Sequence, residues 1–134
     1  MRRFTVSKRH FSRRFQLNFE DAELLKWLEQ ATATELDALN FGVIRMSFDT
    51  RVTHYSATEA RGAGLRPETV LAKRFFIEVG VCMNNYLVAQ RYLDEAELDA
   101  LVPYIFTFIM KPTKVRLRLL RSATAQSMYL LVER

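Results

Sequence analysis

Apolar and polar positions divide the chain into helical and alternating segments. In residues 18–31, NFEDAELLKWLEQA, the apolar Leu24, Leu25, Trp27 and Leu28 follow an acidic first turn. That spacing predicts a short amphipathic helix. Leu36, between Thr34 and Asp37, marks a second helical turn. FGVIRMSF (residues 41–48) alternates, VTHYS follows, and the DTR between them predicts a hairpin. SATEARGAGL reads as a helical turn broken by Gly62 and Gly64, and Pro67 in RPETVLAKRFF suits a helix start. Residues 86–101 are expected to form one long helix. Three strands are expected to close the chain: YIFTFIM, with Pro112 marking its exit, then KVRLRLLR, then SMYLLVER. In the second of these, Val115, Leu117 and Leu119 face one way and Lys114, Arg116 and Arg118 the other.

The economical assembly of these pieces is an α+β domain: a central five-stranded antiparallel sheet with helices on one face and an N-terminal helical cap. This is a PAS-like fold, in which sheet and crossing helices enclose a pocket. The expected division is a basic extension and helical cap over residues 1–33 and a pocket-forming domain over residues 34–134.

Composition narrows the classes. With 134 residues, 49% hydrophobic and 26% charged, the chain has the size and balance of one globular domain. The single cysteine excludes an internal disulfide. No apolar run approaches the roughly 18 residues of a membrane span, and no signal peptide is legible, so the expected location is the cytoplasm. The net charge of +5 is concentrated in Arg2, Arg3, Lys8, Arg9, Arg13 and Arg14. A basic arm of this kind suits an acidic partner, a membrane surface or nucleic acid. The rest of the domain gives no support for specific nucleic-acid binding.

The candidate chemistry is sparse. Cys82, in FFIEVGVCMNNY, is the lone thiol. On its own a buried cysteine is a small core hydrophobe. Tyr55 and Glu59 are four apart, so on a helical turn they reach the same spot and can clamp an oxyanion if Glu59 is protonated. Cys82 lacks a plausible base: His10 lies in the basic arm, and alternation turns His54 away from the side Tyr55 faces. There is no metal-ligand spacing and no Gly-rich phosphate loop. An enzyme is not expected.

FGVI, YSATE, the FF pair at Phe75 and Phe76, Cys82 and MKPTKV together resemble the photoactive yellow protein family of PAS-class blue-light receptors, from about residue 36 onward. The resemblance implies that Cys82 carries p-coumaric acid (4-hydroxycinnamic acid) as a thioester. It further implies that Tyr55 and Glu59 hydrogen-bond the phenolate, and that Met110 lies beside the chromophore. It implies signalling by photoisomerisation, proton transfer from Glu59, loosening of the cap and action on a downstream signalling protein, expected to present an acidic surface. The chain departs from the family pattern at three pocket positions. Ala63 replaces a threonine, Leu65 replaces an arginine lid, with Arg66 adjacent, and Val81 replaces a proline. A few residues are also missing between Cys82 and Tyr86. The alternative is a chromophore-free PAS-type module for protein interaction or small-ligand sensing.

Overall fold

The computed structural model describes residues 17–107 and 111–134. The chain runs α1 (Leu24–Gln30), α2 (Ala33–Asp37), β1 (Gly42–Met46), β2 (Val52–Tyr55), α3 (Ala57–Ala63), α4 (Pro67–Val70), α5 (Ala89–Asp94), β3 (Leu98–Phe106), β4 (Thr113–Arg121) and β5 (Met128–Glu133). A π-helical turn, Phe75–Val79, and a 3-10 turn, Val81–Met83, lie between α4 and α5. The strands form one antiparallel sheet in the order β2-β1-β5-β4-β3. This is the expected α+β, PAS-like arrangement.

Period-two alternation gives the sheet two apolar faces. Ile44, Met46, Val115, Leu117, Leu119, Met128, Leu130 and Val132 face the core shared with the helical crossing. Val43, Leu120, Tyr129 and Leu131 face the opposite way and meet Phe19, Leu24 and Leu28 of the N-terminal cap and Leu36 of α2. Each fully buried aliphatic side chain contributes about 1.5–3 kcal/mol.

The cap is also tied down by polar contacts that no local spacing announces. Arg118 on β4 is only 4% exposed, although alternation places it among the charged residues. Its guanidinium pairs with both Asp99 oxygens at 3.0 and 2.9 Å and donates to the carbonyls of Phe19 (3.0 Å) and Asp21 (2.7 Å). Arg116 bridges Glu20 and Glu133, and Glu29 accepts from the Tyr129 hydroxyl and the Gln126 amide. The apolar stripe of α1 is narrower than expected: Leu24 and Leu28 are buried, whereas Trp27 is partly covered.

Three predicted elements need correction. The first helix does not fill residues 18–31: turns come first, fastened where Asn18 and Asp21 side chains accept backbone N–H groups two residues on, and α1 starts at Leu24. The long helix over residues 86–101 is not formed. The Asn85 side-chain oxygen accepts from the amides of Leu87 and Val88, α5 ends at Asp94, and a strand follows. The third strand therefore begins at Leu98, not Tyr104, and ends at Phe106. Leu98 and Leu101 are three apart and suit a helix equally well, which hid the alternation from Leu98 to Phe106. Pro103 is tolerated because β3 is an edge strand, hydrogen-bonded only to β4. Pro67 does open α4, but that helix ends at Val70.

Candidate functional site

α3 carries the first functional side chain and is held in place by its ends. Ser56 is the N-cap: its hydroxyl accepts from the Glu59 amide at 3.3 Å and from the Val43 amide of β1 at 2.9 Å. Gly64 closes the helix with φ of 71°, a left-handed conformation that suits glycine. Ser56-x-x-Glu59 has the spacing of a capping box, in which the glutamate would reach back to the serine amide. That happens in α2, where Glu35 accepts from the Thr32 amide at 2.8 Å. In α3 the Ser56 amide instead donates to the Val43 carbonyl. Glu59 is thereby left to turn inward, where it is 2% exposed.

Inside, Glu59 meets Arg134. The guanidinium donates from Nη1 to Oε1 at 2.7 Å and from Nη2 to Oε2 at 3.2 Å, and lies over the Phe106 ring at 5.6 Å. Burial pushes the Glu59 carboxyl above its ordinary range, while the Arg134 hydrogen bonds and charge pull it back. Tyr55, the last residue of β2, is 3% exposed. Burial first, and the neighbouring Glu59 charge second, push its phenol well above the ordinary tyrosine value. The expected helical spacing of Tyr55 and Glu59 is not found: one ends a strand and the other lies in the first turn of the next helix. No hydrogen bond joins the Tyr55 hydroxyl to any of the described residues.

Cys82 lies in the 3-10 turn and is partly buried against the hydrophobic core that contains Tyr55. Its backbone is fixed from the sheet edge: the Tyr104 hydroxyl donates to the Cys82 carbonyl at 2.5 Å, and Asn85 Nδ2 donates to that carbonyl at 3.1 Å and to the Tyr104 oxygen at 2.7 Å. Among the other expected site residues, Ala63 is half-buried, Leu65 is 37% exposed and Val81 is 55% exposed. Met110 and the six basic residues of the N-terminal arm lie outside the described residues. His54 points away from this core, with Nε2 3.0 Å from Asp37 Oδ1. Among the described residues no group of three or more His, Cys, Asp or Glu could hold a metal ion, and no helix is long and apolar enough to cross a membrane.

Sequence reasoning did not single out Arg134, Tyr104 or Asn85. Arg134 and Tyr104 make contacts to segments far from them in the chain, and only the alternation of β3 could have pointed to the face that Tyr104 occupies.

A photoactive yellow protein of Rhodothalassium salexigens is 29% identical over 103 residues, covering 75% of this chain and 82% of the relative. Another, of Halochromatium salexigens, is 26% identical over 121 residues, covering 88% and 97%. The crystal structure of the photoactive yellow protein domain from the sensor histidine kinase Ppr of Rhodospirillum centenum superposes with a TM-score of 0.75 at 28% identity, covering 82% of this chain and 99% of that domain. The chain is thus similar to photoactive yellow proteins, and it has a PAS fold. A PAS domain of an HTR-like protein from Haloarcula marismortui shares the fold at 16% identity, with a TM-score of 0.55 and coverage of 84% and 96%. No family model matches the sequence.

Proposed function

We propose that this protein is a cytoplasmic blue-light receptor that carries p-coumaric acid as a thioester on Cys82, with Tyr55 and Glu59 holding the phenolic end. The observation that carries this reading is the buried Tyr55 hydroxyl. It has no hydrogen-bond partner among the described residues, it feels the charge of the buried Glu59 carboxyl, and it lies in the core against which Cys82 packs. A buried hydroxyl left unpaired costs free energy, so a ligand oxygen is the fitting complement. Kinship with photoactive yellow proteins supports the same reading.

When bound, p-coumaric acid supplies a double bond that blue light isomerises and a phenolic oxygen that can carry charge. The protein's residues supply the rest. Cys82 Sγ forms the acyl–sulfur bond with an activated acid: the leaving group departs and the thiol proton goes to solvent. Tyr104 and Asn85 steady the Cys82 backbone from the sheet edge. Tyr55 donates a fixed hydrogen bond through its hydroxyl, which burial keeps protonated at neutral pH. Glu59 holds a proton on its carboxyl and gives it up. The family pattern assigns the tuning of the chromophore to positions 63, 65, 81 and 110, here Ala63, Leu65, Val81 and Met110. A charge left on Glu59 must be paired or hydrated, and hydration requires a covering element to move. The cap is the element proposed to loosen and to present the basic arm to an acidic downstream signalling protein. The Rhodospirillum centenum domain belongs to a sensor histidine kinase, which supports a signalling role for this chain as well. No catalytic role is proposed.

A second reading, the chromophore-free PAS-type module, is favoured by one observation: both Glu59 oxygens already have a partner in Arg134. Reaction of the purified chain with an activated p-coumaric acid separates the two. A visible absorption band on the protein is the expected result. A protein that stays colourless with its thiol fully reacted or fully free contradicts the receptor reading.

Illumination of the coloured protein is expected to speed amide exchange in α1 more than in β4 or β5. Elements held by fewer contacts open at lower free energy. Faster exchange confined to the strands, with α1 unchanged, would refute the cap as the moving part.

A further inference from the structure

We infer that Arg134 is a positioning residue for Glu59: its two-point grip holds the carboxyl in the space between β1 and α3 and governs its protonation. The inference concerns the protein without any ligand, so it does not depend on the chromophore reading.

Three observations converge on the pair. The first is its geometry, a bidentate guanidinium–carboxylate contact at 2.7 and 3.2 Å, with the Glu59 side chain 3% and the Arg134 side chain 27% exposed. Such paired, charge-assisted bonds favour an ionised acid. The second is the room the backbone leaves for it. A Cβ on Gly42 of β1 would lie 2.1 Å from Glu59 Oε1, and a Cβ on Gly62 of α3 would lie 2.4 Å from Arg134 Nη1. Gly62 stands inside a helix, where glycine is less stable than alanine, and the guanidinium fills the space that an alanine methyl would take. The third is the support beneath the guanidinium, which the Phe106 ring supplies at 5.6 Å.

The groups that bear on Glu59 come from four elements. β2 contributes the Tyr55 phenol, β1 the Gly42 backbone, α3 its own Ser56 cap, and the segment after β5 contributes Arg134. Tyr55 is held neutral, so Arg134 supplies the cation that opposes the effect of burial. Removing the guanidinium leaves burial unopposed, and the carboxyl should then bind its proton more tightly. On the chromophore reading, the same guanidinium is the ready partner for the charge left when Glu59 gives up a proton.

The test is a pH titration of the Glu59 carboxyl by carbon NMR in the ligand-free full chain, with glutamate labelled and Glu59→Gln used to assign the signal. The wild type, Arg134→Gln, Arg134→Lys and Gly62→Ala are compared. Arg134→Gln should raise the midpoint by about one unit or more, a tenfold or larger gain in proton affinity. Arg134→Lys should fall between the two. Gly62→Ala keeps every charge and favours the helix, yet its methyl displaces the guanidinium and should move the midpoint in the same direction. Amide spectra report whether each variant is folded, and Gly62→Ala and Arg134→Lys keep the test decisive if Arg134→Gln unfolds. Equal midpoints in folded wild type and variants, or a wild-type carboxyl already protonated at neutral pH, would overturn the inference. Neither result bears on whether Cys82 accepts a chromophore, which the absorption experiment decides separately.

Discussion

Arg118→Ala is expected to release the N-terminal cap while leaving the sheet standing. The guanidinium is buried under the cap and joins β4 to two cap carbonyls, Phe19 and Asp21, and to Asp99 on β3. Hydrogen bonds to a charged group are worth about 1.5–3 kcal/mol each. Asp99 is 56% exposed at its side chain and can return to water, so its share is discounted for screening. The two carbonyls are the larger loss, and a total of about 3–6 kcal/mol follows. Arg118→Met keeps the apolar stem and removes only the charge, so it separates lost packing from lost hydrogen bonding. Amide exchange in α1 should accelerate by about thirtyfold or more in both variants, with a much smaller change in β5. Unchanged exchange in α1, or uniform acceleration of the whole chain, would show that Arg118 is not what ties the cap to the sheet.

The sheet itself was largely legible. β1, β2, β4 and β5 fall where the apolar segments predict strands, and the turn DTR separates the first two. The capping serine and the terminal glycine of α3 announce that helix. β3 was misread because its first apolar pair also fits a helix and because Pro103 argues against a strand until its edge position is known. The site was legible only in part. Cys82, Tyr55 and Glu59 could be selected by their resemblance to a family pattern. The partner of Glu59 lies 75 positions away, and the cap carbonyls bound by Arg118 lie 99 and 97 positions away. Contacts of that span depend on which strands become neighbours, and no local spacing encodes them.

The consequence for energetics is specific. A buried carboxylate left alone is expensive, and that expense is the natural source of a conformational signal. Here a guanidinium already sits within hydrogen-bonding distance of both Glu59 oxygens. The driving force available from an ionised Glu59 is therefore smaller than in a pocket without such a cation. The polar ties of the cap, Arg118 above all, set how much of that force is needed to move it.

Covalent attachment at Cys82 is the largest effect expected and the central claim. Cys82 is the only thiol in the chain, it is partly exposed, and its backbone is braced by Tyr104 and Asn85. A serine hydroxyl is far less nucleophilic than a thiol without an adjacent base, and His54, the one histidine among the described residues, is engaged with Asp37. Cys82→Ser should therefore fold normally and fail to react. The decisive measurement is the intact mass of wild type and Cys82→Ser after equal exposure to activated p-coumaric acid. One p-coumaroyl group on the wild type and none on the serine variant is the expected result. An adduct that persists in Cys82→Ser, or a wild type that remains unmodified, would contradict the account.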